Sequence, residues 1–498
     1  MEKIKLEKSY VLSYDVGTSG VKTVVVDFEG NVASIAVSNY GLLTPQPGWA
    51  EQKPDDYWNG VCTSTKQALK QAGISPSKIK GVAFGTQWKG IIPLDDQDRV
   101  LHNNIIWLDN RAGKQAEKIN QKLKGDFLRG DDYWPKILWF KEESPDIYEK
   151  TKTFLEVNAF LKFKATGEKA VDLTNNFVTT SNPELQAFYA EIRAAADVDL
   201  GKFPPLVMTT EKVGSITAKA AAEVGLLEGT PVFGGCGDIP AITIGSGRSS
   251  PDDIHIYLGS SGWMAVVSRR GTAQEPLCVT FEKDKDIRLL GGTKAACMSF
   301  NWAIDQFYRS EKGENKEGIF EYVNKDIQEV PAGSGNLLAT PWYYGDFPPI
   351  APSARTVFLN ITGLHDRRHL VHAVLEGICY QLRWYADIYN EQTGKSIGSI
   401  RTVGGGANGD HWMQTLADVL RVPIEVPENP SHVGALGTAY CSFIGLGLCS
   451  DFAEVKRKVR IKTKFEPQIK NAKTYDELFG HYKGISPMLE PFFNTLNK

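Results

Sequence analysis

Tyr10-Val11-Leu12-Ser13-Tyr14-Asp15-Val16-Gly17-Thr18-Ser19-Gly20-Val21-Lys22-Thr23-Val24-Val25-Val26-Asp27-Phe28 decides how this chain is read. Tyr10 to Tyr14 reads as a buried strand and Val21 to Phe28 as its hairpin partner, since β-branched and aromatic residues dominate both runs. The turn between them is built of Gly, Thr and Ser, which offer backbone N–H groups and hydroxyls to phosphate oxygens. Asp15 stands at the mouth of that turn, where a Mg²⁺ bridging phosphates needs a carboxylate, and Lys22 adds a cation close by. A P-loop passes from strand to helix; here strand follows strand. Taken alone, a polar hairpin with no ligand fits the stretch as well.

Length and charge narrow the field around this hairpin. A chain of 498 residues is too long for one ordinary domain and suggests two or three. A formal charge of -3 gives no electrostatic footprint for nucleic acid or an anionic membrane, so an anionic ligand must be held by local groups. No run approaches the roughly 20 apolar residues of a membrane span, and Met1 to Lys8 lacks the apolar stretch of a secretory signal. Seven cysteines are scattered without a C-x-x-C pair, which fits reduced thiols in a cytoplasmic enzyme. No histidine pairing has zinc spacing, and no structural metal is expected.

The opening pattern returns in the second half. Ile254 to Leu258, Gly259-Ser260-Ser261-Gly262 and Trp263 to Val267 are again strand, small-residue turn and strand. Gly245-Ser246-Gly247-Arg248-Ser249-Ser250-Pro251 between the halves reads as a linker. The expected division is therefore 1–248 and 249–498. Ile79 to Phe84 reads as a further strand. His369 to Tyr389 carries a helical stripe at Leu370, Val374, Ile378, Leu382 and Tyr385. Such alternation argues α/β layers in both halves, with a cleft between them as the natural small-molecule site.

Two further segments carry chemistry. Val232-Phe233-Gly234-Gly235-Cys236-Gly237-Asp238 is a strand running into glycines and a single carboxylate. Asp238 can take a proton from an attacking hydroxyl, or simply cap the helix beginning Ile239-Pro240-Ala241. Val403-Gly404-Gly405-Gly406-Ala407-Asn408-Gly409 follows a strand, and Gly404, Gly406 and Gly409 satisfy G-x-G-x-x-G with Glu425 near the ribose position. That motif admits an NAD-dependent dehydrogenase, yet it lies too late in the chain to build a dinucleotide domain. The same turn can accept adenosine.

Taken together these segments resemble the FGGY carbohydrate kinase family, most closely its xylulokinase-like members, over nearly the whole chain. Asp15-x-Gly17-Thr18-Ser19-x-x-Lys22 is similar to the first phosphate motif, Gly259-Ser260-Ser261-Gly262 to the second, and Gly405-Gly406-Ala407-Asn408 to the adenosine motif. Gly235-Cys236-Gly237-Asp238 matches the segment of the catalytic base, and Trp107-Leu108-Asp109-Asn110-Arg111 the W-x-D-x-R block near the sugar. Lys136 to Phe140, His369 to Gly377 and the ending Phe465 to Tyr482 match further family segments.

The resemblance implies an α/β fold of two ribonuclease-H-like domains, as in actin and hexokinase-like ATPases. It implies an ATP- and Mg²⁺-dependent kinase acting on a small sugar, xylulose-like ketoses first; ribulose, glycerol or gluconate remain open, as does a silent sugar or nucleotide sensor. Asp238 is the implied base, Asp15 the Mg²⁺ site, and Gln87, Trp88, Asp109, Arg111 and Asp238 the sugar contacts. A homodimer is one open assembly.

Four departures bear on the sugar. Gln87-Trp88-Lys89-Gly90 stands where Gln-Met-His-Gly is usual, Ile239 where Asn or Gln follows the base, Gly345-Asp346-Phe347 where Gly-Glu-Arg is common, and Cys297 where Gly is frequent. Trp88 is expected to stack on a carbon chain and donate its indole N–H to a hydroxyl. Lys89 is expected to point to solvent; pointing inward, it would favour an acidic sugar.

Overall fold

The structure is a computed structural model that describes residues 8–175, 183–269, 278–282, 284–346, 349–351 and 353–497. Residues 1–7 of the N-terminal segment, and Phe347 among the departures, lie outside the described residues. By contact the chain falls into two units. One holds the chain up to Ser249 with Ser268–Ile287 and Gly434–Lys458; the other holds Ser250–Val267, Arg288–Val433 and the chain from Val459 onward. The chain thus crosses between units several times, which a single cut near residue 250 leaves out.

In the first unit the hairpin is β1 (Tyr10–Val16) and β2 (Gly20–Asp27), antiparallel with Asp15 opposite Lys22 and Val16 opposite Val21. β1 reads as a nearly continuous apolar run because both its faces are covered, whereas β3 (Val32–Asn39) alternates toward solvent. Helix α1 (Pro54–Ala72) starts with Pro54, Asp55 and Asp56, favourable for its positive end, and stops at Gly73 in the left-handed region. It lays Tyr57, Trp58, Val61, Ala68 and Leu69 on the core. Strand β4 (Ile79–Thr86) runs parallel to β1. Helices α2 (Tyr133–Glu143) and α3 (Val157–Thr166) follow, then β5 (Lys212–Ser215), β6 (Pro231–Phe233), β7 (Cys236–Gly237) and α4 (Asp238–Gly245). The sheet order is β5-β6-β4-β1-β2-β3, with β7 beside β4.

The second sheet is built on β8 (Ile254–Leu258) and β9 (Gly262–Arg269), again an antiparallel hairpin. β10 (Cys278–Glu282), β11 (Lys285–Thr293), helix α5 (Cys297–Phe307) and the long helix α6 (Arg367–Thr393) come next. Asp366 opens α6 with a capping box and Gly394 closes it, so the stripe at 370–385 sits inside a longer helix. β12 (Ile400–Val403), α7 (Asp410–Leu420), β13 (Ile424–Pro427), α8 (Val433–Gly445) and β14 (Ile461–Phe465) complete the set. The order is β10-β11-β9-β8-β12-β13-β14.

Numbered by appearance, β3-β2-β1-β4-β6 and β11-β9-β8-β12-β13 are both 3-2-1-4-5. In each, the first strand is antiparallel to the second and parallel to the fourth, and the fourth is parallel to the fifth. This is the mixed sheet expected of a ribonuclease-H-like domain, present twice. Among the described residues no helix is long and apolar enough to cross a membrane.

Candidate active site

Asp238 is the first residue of α4, with Gly237 rather than Asp238 at the N-cap position. Its Oδ1 accepts the Ile239 N–H at 2.9 Å. Gly235 sits at φ +67, and a Cβ there would run into the Phe84 carbonyl, so only glycine lets the chain turn beneath β4 at this point. A buried relay then fixes the residue before Asp238: Asp172 accepts the Thr174 hydroxyl at 2.5 Å, and Thr174 accepts the Gly237 N–H at 2.9 Å. Lys162 Nζ donates to the Gly234 carbonyl at 3.0 Å.

Asp238 itself is only partly buried by surface exposure, yet its carboxyl is enclosed enough to matter. Burial, opposed by the Ile239 N–H and reinforced by the Asp15 carboxylate, pushes it up to about 7. A carboxylate poised there is matched to taking a proton near neutral pH.

The first turn lies in the same unit. Asp15 and Lys22 form an ion pair at 3.6 Å, with about a third of each side chain exposed (34% and 27%). Gly17 N–H closes the turn onto the Gly20 carbonyl at 3.0 Å, and the Tyr40 hydroxyl donates to the Gly17 carbonyl. Ser19 is exposed. The Thr18 hydroxyl donates to Gln87 Oε1 at 3.2 Å and accepts the Trp107 indole N–H at 2.9 Å. Among the described residues no three His, Cys, Asp or Glu side chains converge as a metal cage. Mg²⁺ is commonly held by one or two carboxylates with waters and phosphates, and the partly exposed Asp15 suits that role.

Several expected sugar contacts are placed otherwise. Gln87 is buried, and its amide is spent on Gln52 at 2.8 Å and Tyr57 at 3.2 Å. Asp109 and Arg111, expected at the sugar, have side chains that are 0% exposed and turn to each other. Arg111 bonds Asp109 and Glu51, each at 2.7 Å, and stacks on Trp49 at 3.6 Å, while Asp109 also holds the Ala50 N–H at 2.6 Å. Trp88 is partly exposed, but its indole N–H goes to the Asn175 carbonyl at 2.9 Å rather than to a ligand.

Lys89 does not reach solvent as expected. It is buried at φ +61 and paired with Asp131 at 3.0 Å and Asp132 at 2.6 Å. Burial opposes its charge, but the two carboxylates outweigh burial and hold the ammonium above its usual range.

Two residues were quoted inside motifs yet not singled out. Trp107 is 40% exposed beside the phosphate turn, the first letter of its W-x-D-x-R block. Lys136 is fully buried on α2 and donates to the carbonyls of Lys89 and Ile106, both at 2.8 Å, which ties those two turns together. Burial lowers its ammonium to about 7.

In the second unit, Gly259 N–H bonds the Ser261 carbonyl at 3.0 Å. The Gly259 and Ser260 carbonyls accept the N–H groups of Cys297 and Ala296, each at 3.0 Å, so this turn abuts the start of α5. Ser260 is exposed and Gly262 buried. Gly404, at φ +95, lies so close to Leu258 that a Cβ would strike its carbonyl. Gly405 and Asn408 are exposed, and Asn408 Nδ2 donates to Ser431 Oγ at 2.8 Å. Gly406 is buried, and the Ala407 methyl packs in the core rather than toward a ligand. Cys297 lies beneath Gly406, and burial pushes its thiol up to about 12. The dehydrogenase reading of this turn fails locally: the sheet is mixed, and Glu425 is paired with Arg401 at 3.0 Å.

Residues 10–245 match the N-terminal domain of the FGGY family of carbohydrate kinases, and residues 255–446 its C-terminal domain. A xylulose kinase of Bacillus subtilis (strain 168) is 29% identical over 494 residues, covering 96% of each chain. An L-xylulose/3-keto-L-gulonate kinase of Escherichia coli (strain K12) is 26% identical over 502 residues, covering 97% of this chain and 98% of that one. The solved structure of a ligand-bound xylulose kinase from Lactobacillus acidophilus shares the fold with a TM-score of 0.86 at 22% identity, covering 98% of this chain and 100% of that one. The chain therefore belongs to the FGGY family of carbohydrate kinases and is an ATP-dependent sugar phosphotransferase.

Proposed function

We propose that the acceptor is a hydroxyl of a small open-chain ketose resembling xylulose, and that Asp238 takes its proton as the γ-phosphate of ATP arrives. One observation carries the reading: a carboxyl pushed up to about 7 by its surroundings, at a helix start held by a buried relay. A silent sensor has no use for a carboxylate kept in so unfavourable a setting. The names of the two relatives, a xylulose kinase and an L-xylulose/3-keto-L-gulonate kinase, support a ketose.

The first unit serves the sugar and the first phosphate turn, the second the nucleotide through Gly259–Gly262 and Gly405–Asn408. Asp15 would hold Mg²⁺, directly or through water, and the ion would neutralise phosphate charge. Lys22, Gly17, Thr18 and Ser19 supply donors to phosphate oxygens. Trp107 presents an apolar face to the carbon chain.

ADP formation with D-xylulose, L-xylulose, D-ribulose, glycerol and D-gluconate tests the reading. The highest kcat/KM is expected on a ketose. A clear best efficiency on glycerol contradicts the choice of acceptor, and no acceptor-dependent ADP with any of them contradicts the mechanism.

A further inference from the structure

The cations around the start of α4 are already spoken for. Lys22 pairs with Asp15, and Arg111 with Asp109 and Glu51. Lys136 is spent on two carbonyls. Lys89 is the one that occupies a family sugar-site position in a form able to recognise an acid, and three separate ties hold it. Its N–H donates to the Tyr133 hydroxyl at 2.9 Å, its carbonyl accepts Lys136, and its ammonium lies between Asp131 and Asp132. Those ties sustain a left-handed backbone that a non-glycine residue rarely adopts.

The same corner adjoins Asp238. The Tyr133 hydroxyl donates to Asn175 Oδ1 at 3.4 Å, and that oxygen lies 3.6 Å from where a Gly237 Cβ would stand. Arg129 joins the cluster, with Nε on Asp131 at 3.2 Å and its N–H on Asp132 at 2.8 Å. Two side-chain cations face two carboxylates, so the cluster is balanced and turns partly exposed carboxylates, 14% and 20%, to its surface.

We infer that Asp131 and Asp132 make this site select uncharged sugars over sugar acids, by occupying Lys89, the cation with which an acid's carboxylate would otherwise pair. Specificity arises here because the competitor's charge is left unpaired. The inference rests on the sugar site proposed above, and concerns binding, so it can be tested apart from phosphoryl transfer.

Calorimetric titration of the full chain with D-xylulose and with D-gluconate, without nucleotide, compares the two directly. Wild type is expected to bind D-xylulose at least tenfold more tightly. Asp131→Asn with Asp132→Asn is expected to shift the ratio toward gluconate by tenfold or more, and Lys89→Met on that background to cancel the shift. Single Asp131→Asn, with a smaller shift, serves if the double variant does not fold. Tighter binding of gluconate by wild type overturns the inference, as does a ratio unmoved in a folded variant. Tight ketose binding with no ADP formed contradicts the kinase mechanism and leaves the inference standing. Failure to bind either sugar counts against both.

Discussion

At the scale of single residues, the decisive feature is the cost of keeping Asp238 ionised. An ordinary aspartate in the unfolded chain ionises near 3.8, whereas the folded one ionises at about 7. Below 3.8 both states hold the proton. Between the two values the unfolded chain releases it and the folded chain does not, so stability falls as pH rises through this window and stays reduced above it. Asp238→Asn removes the ionisable group and keeps the shape. The variant is therefore expected to melt above wild type by on the order of a few °C at pH 8, with the gap closing toward pH 4. Equal melting temperatures at both pH values would show that Asp238 sits in a solvated, unperturbed setting. The setting of Asp238, a strand running into glycines and a helix start, was legible in the sequence. The pairing of Arg111 with Asp109 was not, since W-x-D-x-R has the same letters whether its charges face a ligand or each other. Lys89 was misread because its partners lie 42 and 43 positions further along the chain.

At the scale of elements, α2 reaches two turns of the first unit through one buried side chain. Lys136 sends its ammonium to two turns, one ending at Lys89 and one beginning at Ile106. Lys136→Met keeps the length of the side chain and leaves both carbonyls without this donor, at ~1–3 kcal/mol for each buried group. The expected result is a sugar KM raised about tenfold or more, an ATP KM within about threefold of wild type, and partial recovery in Lys136→Arg. Equal increases in both KM values, or unchanged sugar kinetics, would make Lys136 an ordinary core residue. Elements themselves were largely readable: β1, β2, β4 and β8 fall within two or three residues of the expected runs, because apolar strands flanked by Gly, Ser and Thr have sharp ends. Helix α6 exceeds its visible stripe because Asp366 and Gly394, not apolar spacing, set its ends.

At the scale of the whole molecule, the chain builds one sheet order twice, and each copy opens with a hairpin whose turn is made of small polar residues. The echo between Gly17-Thr18-Ser19 and Gly259-Ser260-Ser261 is thus topological as well as local. What the sequence did not show is that Ser268–Ile287 and Gly434–Lys458 return to the first unit, since that return depends on partners far away along the chain. α8 returns there as a close neighbour of α4: a Cβ at Gly437 would meet the Ala241 carbonyl. The helix bearing Asp238 is thereby backed by a segment some 200 residues later. Such long-range packing backs the helix whose first residue, Asp238, is the proposed base.

Turnover of Asp238→Asn against wild type, with ATP and the best ketose of the panel, tests that claim most directly. The account predicts a fall in kcat of ~10²–10⁴ with ATP affinity within about threefold of wild type, and a wild-type kcat/KM for the sugar that declines as pH drops below about 7. Wild-type turnover in the folded variant would contradict it.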